Sequence, residues 1–136
     1  MHTLNLRGKL YPLDEPQIMG ILNVTPDSFF AESRTSDDEQ IAARVKQMMD
    51  EGADMIDIGG YSSRAGADDV SPLEEMERLR RGLRIVRKLY PDVPISVDTF
   101  RADVARMCIE EEGADLINDI AAGMMDRQMF KTVARL

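Results

Sequence analysis

Short runs of apolar, often β-branched residues alternate four times with longer stretches whose apolar residues recur at helical spacing. That alternation restricts the fold more than any other feature of the chain. A parallel strand covered on both faces reads as a nearly continuous apolar run, and it must be followed by a crossover long enough to hold a helix. The strand candidates are Ile18 to Leu22, Met55 to Ile58, Ile95 to Val97 and Leu116 to Ile117, each expected to be buried on both faces. A helix candidate follows each. The first begins near Asp37, where Ser36 and Glu39 form a capping-box pair, and carries Ile41, Val45, Met48 and Met49 on one stripe before Gly52 ends it. Ser71-Pro72-Leu73-Glu74 opens the second, with a capping serine and a proline at the first helical position, so that Leu73, Met76, Leu79, Leu83 and Val86 face the sheet. The third runs from about Arg101 to Glu111, burying Ala105, Cys108 and Ile109 before Gly113. The fourth starts near Asp126 and continues to Leu136.

The segment Glu51-Gly52-Ala53-Asp54-Met55-Ile56-Asp57-Ile58 is echoed by Glu112-Gly113-Ala114-Asp115-Leu116-Ile117-Asn118-Asp119. Both copies read as helix stop, tight turn and buried strand. Repetition of one βα unit is how a barrel is built, and the glycine fingerprint of an open dinucleotide-binding sheet is absent. The expected fold class is therefore α/β, a (β/α) TIM-type barrel, with residues 1–136 supplying about the first four units of a domain that closes only at roughly 250 residues.

A formal net charge of −8, with bases interspersed among acids, argues against a nucleic-acid surface. A single cysteine, Cys108, excludes an internal disulfide framework, and no apolar run is long enough to cross a bilayer. The chain reads as a soluble, cytoplasmic protein whose partners are small molecules or protein. Methionines such as Met48, Met76 and Met129 sit at core spacing and read as packing rather than as a cofactor box.

Each apolar run ends in, or contains, a polar residue: Asn23, Asp57, Asp98 and Asn118. In a barrel these gather near the C-terminal mouth, where a ligand with several N–H and C=O groups can pair them. The local alternative is that each caps the helix or turn that follows, most plausibly Asp98-Thr99. Two loops also stand out. Asn23-Val24-Thr25-Pro26-Asp27-Ser28-Phe29-Phe30 carries polar groups and aromatics and reads as a lid or substrate wall. Gly59 to Ala67 combines glycines, hydroxyls and Arg64, a mixture suited to an anionic group.

Gly20-Ile21-Leu22-Asn23-Val24-Thr25-Pro26-Asp27-Ser28-Phe29 closely resembles the first signature of dihydropteroate synthases, and Asp57-Ile58-Gly59-Gly60-Tyr61-Ser62-Ser63-Arg64 resembles the second. Ser96-Val97-Asp98-Thr99 and Ile117-Asn118-Asp119-Ile120 match the next two strand ends in the family's order. The resemblance implies a transferase that joins 6-hydroxymethyl-7,8-dihydropterin diphosphate to p-aminobenzoate. By it, Asp98 and Asn118 hold the pterin ring with Ile120 packing nearby. Asn23 contacts a Mg2+ bound to the diphosphate, Ser63 touches substrate, and Arg64 and Phe29 form the p-aminobenzoate side. An open half barrel would expose two strand edges and apolar helix faces, which favours association with a second copy or with a C-terminal half of the barrel. The chain departs from the family at Ala65, where proline is usual, and at Ala31-Glu32-Ser33, where Asp-Gly-Gly is common. Two rivals share the strand-end logic: a methyltetrahydrofolate methyltransferase-type barrel and a non-catalytic pterin-binding fragment.

Overall fold

Alternate positions along a strand point to opposite faces, and here the β-branched residues at those positions sort the sheet into two unlike surfaces. The computed structural model describes residues 2–24, 37–61 and 70–136. It begins with an antiparallel hairpin of β1 (Thr3–Leu6) and β2 (Lys9–Pro12). There follow β3 (Met19–Asn23), α1 (Asp37–Asp50), β4 (Met55–Gly59), α2 (Pro72–Leu89), β5 (Ile95–Asp98), α3 (Ala102–Glu110), β6 (Leu116–Asn118) and α4 (Met129–Arg135). Strands β3 to β6 form one parallel sheet in sequential order, as the βα alternation requires. Leu22, Ile56, Ile58, Ile95 and Val97 meet Ile41, Val45, Leu79, Leu83, Val86 and Val104 in the core.

The other face differs from expectation. Strand β4 is buried throughout, but on β3 Met19 is 39% and Ile21 63% exposed, and the preceding Ile18 is 60% exposed. Met19 and Ile21 lie on the face turned away from the helices, the interior of a barrel that four strands wall on one side only.

Helix α2 starts where the sequence places it: Pro72 stands at its first turn and the Ser71 hydroxyl accepts from the Glu74 N–H at 3.2 Å. The expected inward Leu73 is instead 79% exposed, while Glu75 is fully buried. The first turn overhangs the strand ends, where polar partners rather than apolar ones meet it. Helix α3 has no cap of its own; the Ala102 N–H donates to Asp126 Oδ2 at 2.7 Å, and the Arg101 N–H to Thr99 Oγ1 at 3.2 Å. Asp126 is thus spent on α3 and on the Gln128 N–H, and α4 begins three residues later than expected. Ser36, the proposed cap of α1, lies outside the described residues.

At the N-terminal ends of the strands the sequence echo becomes a repeated clamp. The Ile18 N–H donates to Asp54 Oδ2 at 2.8 Å, and the Asp54 N–H returns to the Ile18 carbonyl at 2.7 Å. The Ile95 N–H donates to Asp115 Oδ2 at 2.8 Å, and the Asp115 N–H to the Ile95 carbonyl at 2.8 Å. The second copy is the more buried. Asp115's side chain, 2% exposed, also takes Arg87 Nη2 at 2.7 Å and Arg7 from the hairpin turn. That turn has positive φ at both Arg7 and Gly8, the geometry of a two-residue hairpin that follows the twist of its strands.

Removing a carboxylate that pairs a half-buried guanidinium costs more than losing one backbone bond. Asp115→Ala is expected to lower unfolding free energy by about 3–5 kcal/mol and Asp54→Ala by about 1–2 kcal/mol. Equal losses in urea denaturation would contradict the asymmetry of the two clamps.

Candidate functional site at the carboxyl ends of the strands

The parallel registers run Asn23 opposite Gly59, Gly59 opposite Asp98 and Asp98 opposite Asn118. These four residues form one row across all four strands, on the face away from the helices. A Cβ at Gly59 would stand 3.3 Å from Asn23 Oδ1 and 3.6 Å from Asp98 Cβ, so glycine leaves the space between those two side chains open. One layer deeper the register gives Ile21, Asp57, Ser96 and Leu116. Asp57 is only 3% exposed, and Asn118 Nδ2 donates to its Oδ2 at 3.5 Å while Oδ1 has no partner.

Two carboxylates so placed resist ionisation. Burial, and then the charge of Asp57, push the Asp98 carboxyl up to about 6, against the pull of the Tyr61 hydroxyl. Burial also raises Asp57, which the Ser96 hydroxyl and the Asn118 amide partly offset. The row therefore presents acceptors that lack donors, a demand met by a flat heterocycle with an edge of N–H groups. Asp98 does not cap α3, whose first backbone N–H groups, those of Arg101 and Ala102, donate to Thr99 and Asp126; the local-cap alternative fails for this residue.

Asn23, Asp98 and Asn118 thus come together as the sequence predicts, and Asp57 joins them as a floor rather than as a strand end. Ile120 is 71% exposed, in the turn that Asp119 ties down by accepting from the Ala121 and Gly123 N–H groups. Phe29, Ser63, Arg64 and Ala65 lie outside the described residues, as do Ala31-Glu32-Ser33. Among the described residues no group of three His, Cys, Asp or Glu side chains could hold a metal ion. Asn23 offers a single amide oxygen at the mouth, the kind of neutral oxygen donor a hard cation accepts.

Sequence reasoning missed the group behind Asp98. Glu75, fully buried, accepts from Arg101 Nη1 at 2.9 Å. The Arg101 guanidinium lies 4.7 Å from the Phe100 ring centroid, and Phe100 meets Tyr61 edge to face at 5.5 Å. Only the doubled Glu74-Glu75 beside a helix start hinted at it. A hollow of about 470 Å3 beside Met49, Asp54, Tyr90 and Pro94 lies near the clamp end of the sheet, away from this row.

The profile of the pterin binding enzyme family matches residues 19–136. The dihydropteroate synthase of Staphylococcus haemolyticus is 46% identical over 122 residues, which are 90% of this chain and 45% of that protein. The structure of Xanthomonas albilineans dihydropteroate synthase with 4-aminobenzoic acid superimposes with a TM-score of 0.86 at 38% identity, covering 98% of this chain and 48% of that one. The same enzyme in complex with 7,8-dihydropteroate gives 0.82 at 35% identity, covering 98% and 47%. The chain spans about half the length of the relatives it matches, and its four βα units are a part of their barrel. With its polar row at the mouth of that partial barrel, the chain belongs to the pterin-binding enzyme family.

Proposed function

We propose that this chain forms the pterin-binding half of a dihydropteroate synthase, which condenses 6-hydroxymethyl-7,8-dihydropterin diphosphate with p-aminobenzoate to give 7,8-dihydropteroate and pyrophosphate. The observation that carries this reading is the row of Asn23, Asp98 and Asn118 over buried Asp57. Its relatives' names and their complexes with 4-aminobenzoic acid and 7,8-dihydropteroate support the same reaction.

In that reaction the bond from the methylene carbon to the diphosphate oxygen breaks, the aniline nitrogen forms the new C–N bond, and its proton leaves. Positive charge grows on the methylene and spreads into the ring. Asp98, accepting ring N–H donors while ionised, stabilises that electron-poor ring. Asn118 adds a second contact, its amide oriented by Asp57. When bound with the diphosphate, a magnesium ion would neutralise charge on the leaving group, and Asn23 would hold it through its amide oxygen. Arg64 and Phe29 serve the p-aminobenzoate side, with Ser63 on substrate and Ile120 against the pterin. The other half of the barrel, from the same polypeptide or another, completes the wall and the cations around pyrophosphate. A chain of these 136 residues alone is therefore expected to bind the pterin but not to turn over.

Titration of the chain with the pterin diphosphate, with and without magnesium, tests the reading. A magnesium-dependent gain in affinity is expected. Binding that ignores magnesium favours the methyltransferase-type alternative, and no binding favours a scaffold.

Two results should follow for Asp98. Asp98→Ala is expected to weaken pterin binding by more than about 2 kcal/mol, with the melting temperature nearly unchanged, because Asp98 caps nothing. Calorimetric titration beside thermal melting reads both; lost stability with spared affinity would reverse the assignment. Since protonation removes the charge that strengthens these bonds and turns one Asp98 oxygen into a donor facing the ring N–H groups, affinity should be full above the Asp98 value of about 6 and decline as pH falls through it. The decline approaches about tenfold per pH unit, and a flat profile between pH values on either side would count against Asp98 as the partner.

A further inference from the structure

Tyr61 is used by nothing in the proposed reaction, yet it is fixed from both ends. Its backbone follows Gly60, whose carbonyl accepts from Arg78 Nη1 at 3.0 Å. Gly60 also lies so close to α2 that a Cβ there would meet the Glu75 carbonyl oxygen at 3.1 Å. Its ring meets Phe100 edge to face, at 5.5 Å and 77°. Phe100 in turn lies under the Arg101 guanidinium, and Arg101 is held by buried Glu75. The contacts close on themselves, from Gly60 through Glu75, Arg101 and Phe100 back to Tyr61. An aromatic ring held at its backbone and at its face has little freedom to swing its hydroxyl elsewhere. That hydroxyl donates to Asp98 Oδ1 at 3.5 Å.

We infer that Tyr61 is a positioning residue, which holds the Asp98 carboxylate through Oδ1 in one orientation and leaves Oδ2 to the N–H donors of a bound heterocycle. A carboxylate on a strand end otherwise rotates about its side-chain torsions, and fixing it before the ligand arrives removes an ordering cost from binding. Burial, and after it the charge of Asp98, raise the Tyr61 phenol, so it remains a donor at neutral pH. The inference rests on the proposed function only in naming the ligand; the contact itself can be tested without one.

The chain has no tryptophan and three tyrosines, so near-ultraviolet absorption reports tyrosine environments directly. Removing the acceptor by Asp98→Ala should shift the tyrosine band in the wild-type background and leave it unshifted in a Tyr61→Phe background. Tyr61→Phe keeps the ring on Phe100 and is expected to melt within about 2 °C of wild type. It should weaken pterin-diphosphate binding roughly tenfold, with no further loss when added to Asp98→Ala. Equal difference spectra in the two backgrounds, or Tyr61→Phe binding within about twofold of wild type, overturns the inference. A wild type that shows the band shift but binds no pterin overturns the proposed function instead and leaves the hold on Asp98 standing.

Discussion

The site depends on a pair of aspartates at the opposite end of the sheet. Asp54 and Asp115 each take the backbone N–H of a neighbouring strand's first residues and return their own, which fixes β3 against β4 and β5 against β6. Side chains alternate with a period of two, so a slip of one residue would send a strand's inward groups to the helix face. Asn23, Asp98 and Asn118 would then be driven into the packed core beside Leu83 and Val86. The clamps stand near the beginning of each strand pair and the polar row at its end, with no loop between. Rigid extended backbone carries the register from one to the other.

The row works against folding, and the structure around it contains that cost. Asp57 and Asp98 are both held above the ordinary carboxylate range, first by burial, and Asp57 keeps one oxygen without a partner. Glu75 repeats the pattern behind them, fully buried with its Oε2 unpaired. The helix face of the sheet, by contrast, is apolar and closely packed. Apolar packing and the polar row are thus divided between the two faces of the same strands, residue by alternate residue.

Much of this was legible in the chain itself. Four apolar runs located the four parallel strands, and Ser71-Pro72 located the start of α2, because burial and capping leave local marks. Asn23, Asp98 and Asn118 were found because a polar residue ending an apolar strand is anomalous wherever it occurs. What escaped depended on partners distant in sequence. The hairpin turns on Arg7-Gly8, a weaker signal than Asn-Gly, between strands that are mostly exposed. Leu73, expected to face the sheet, stands exposed and Glu75 is buried nearby because Thr99 and Arg101, more than twenty residues on, hydrogen-bond its carboxylate. Tyr61 looked like an ordinary loop residue until β5 brought Phe100 and Asp98 beside it.

The hairpin has a consequence for the order of events as the chain emerges from the ribosome. Arg7, in its turn, is joined to Asp115, 108 residues later, and Asp115 is in place only when β5, β6 and Arg87 have assembled. The hairpin therefore lacks this anchor until residues 108 positions further along are in place, so its docking reports that β5 and β6 have paired in register. A closure spanning that much chain contributes to final stability while adding little to early folding speed. The hairpin is accordingly a seal set on strands already paired rather than a seed from which they grow.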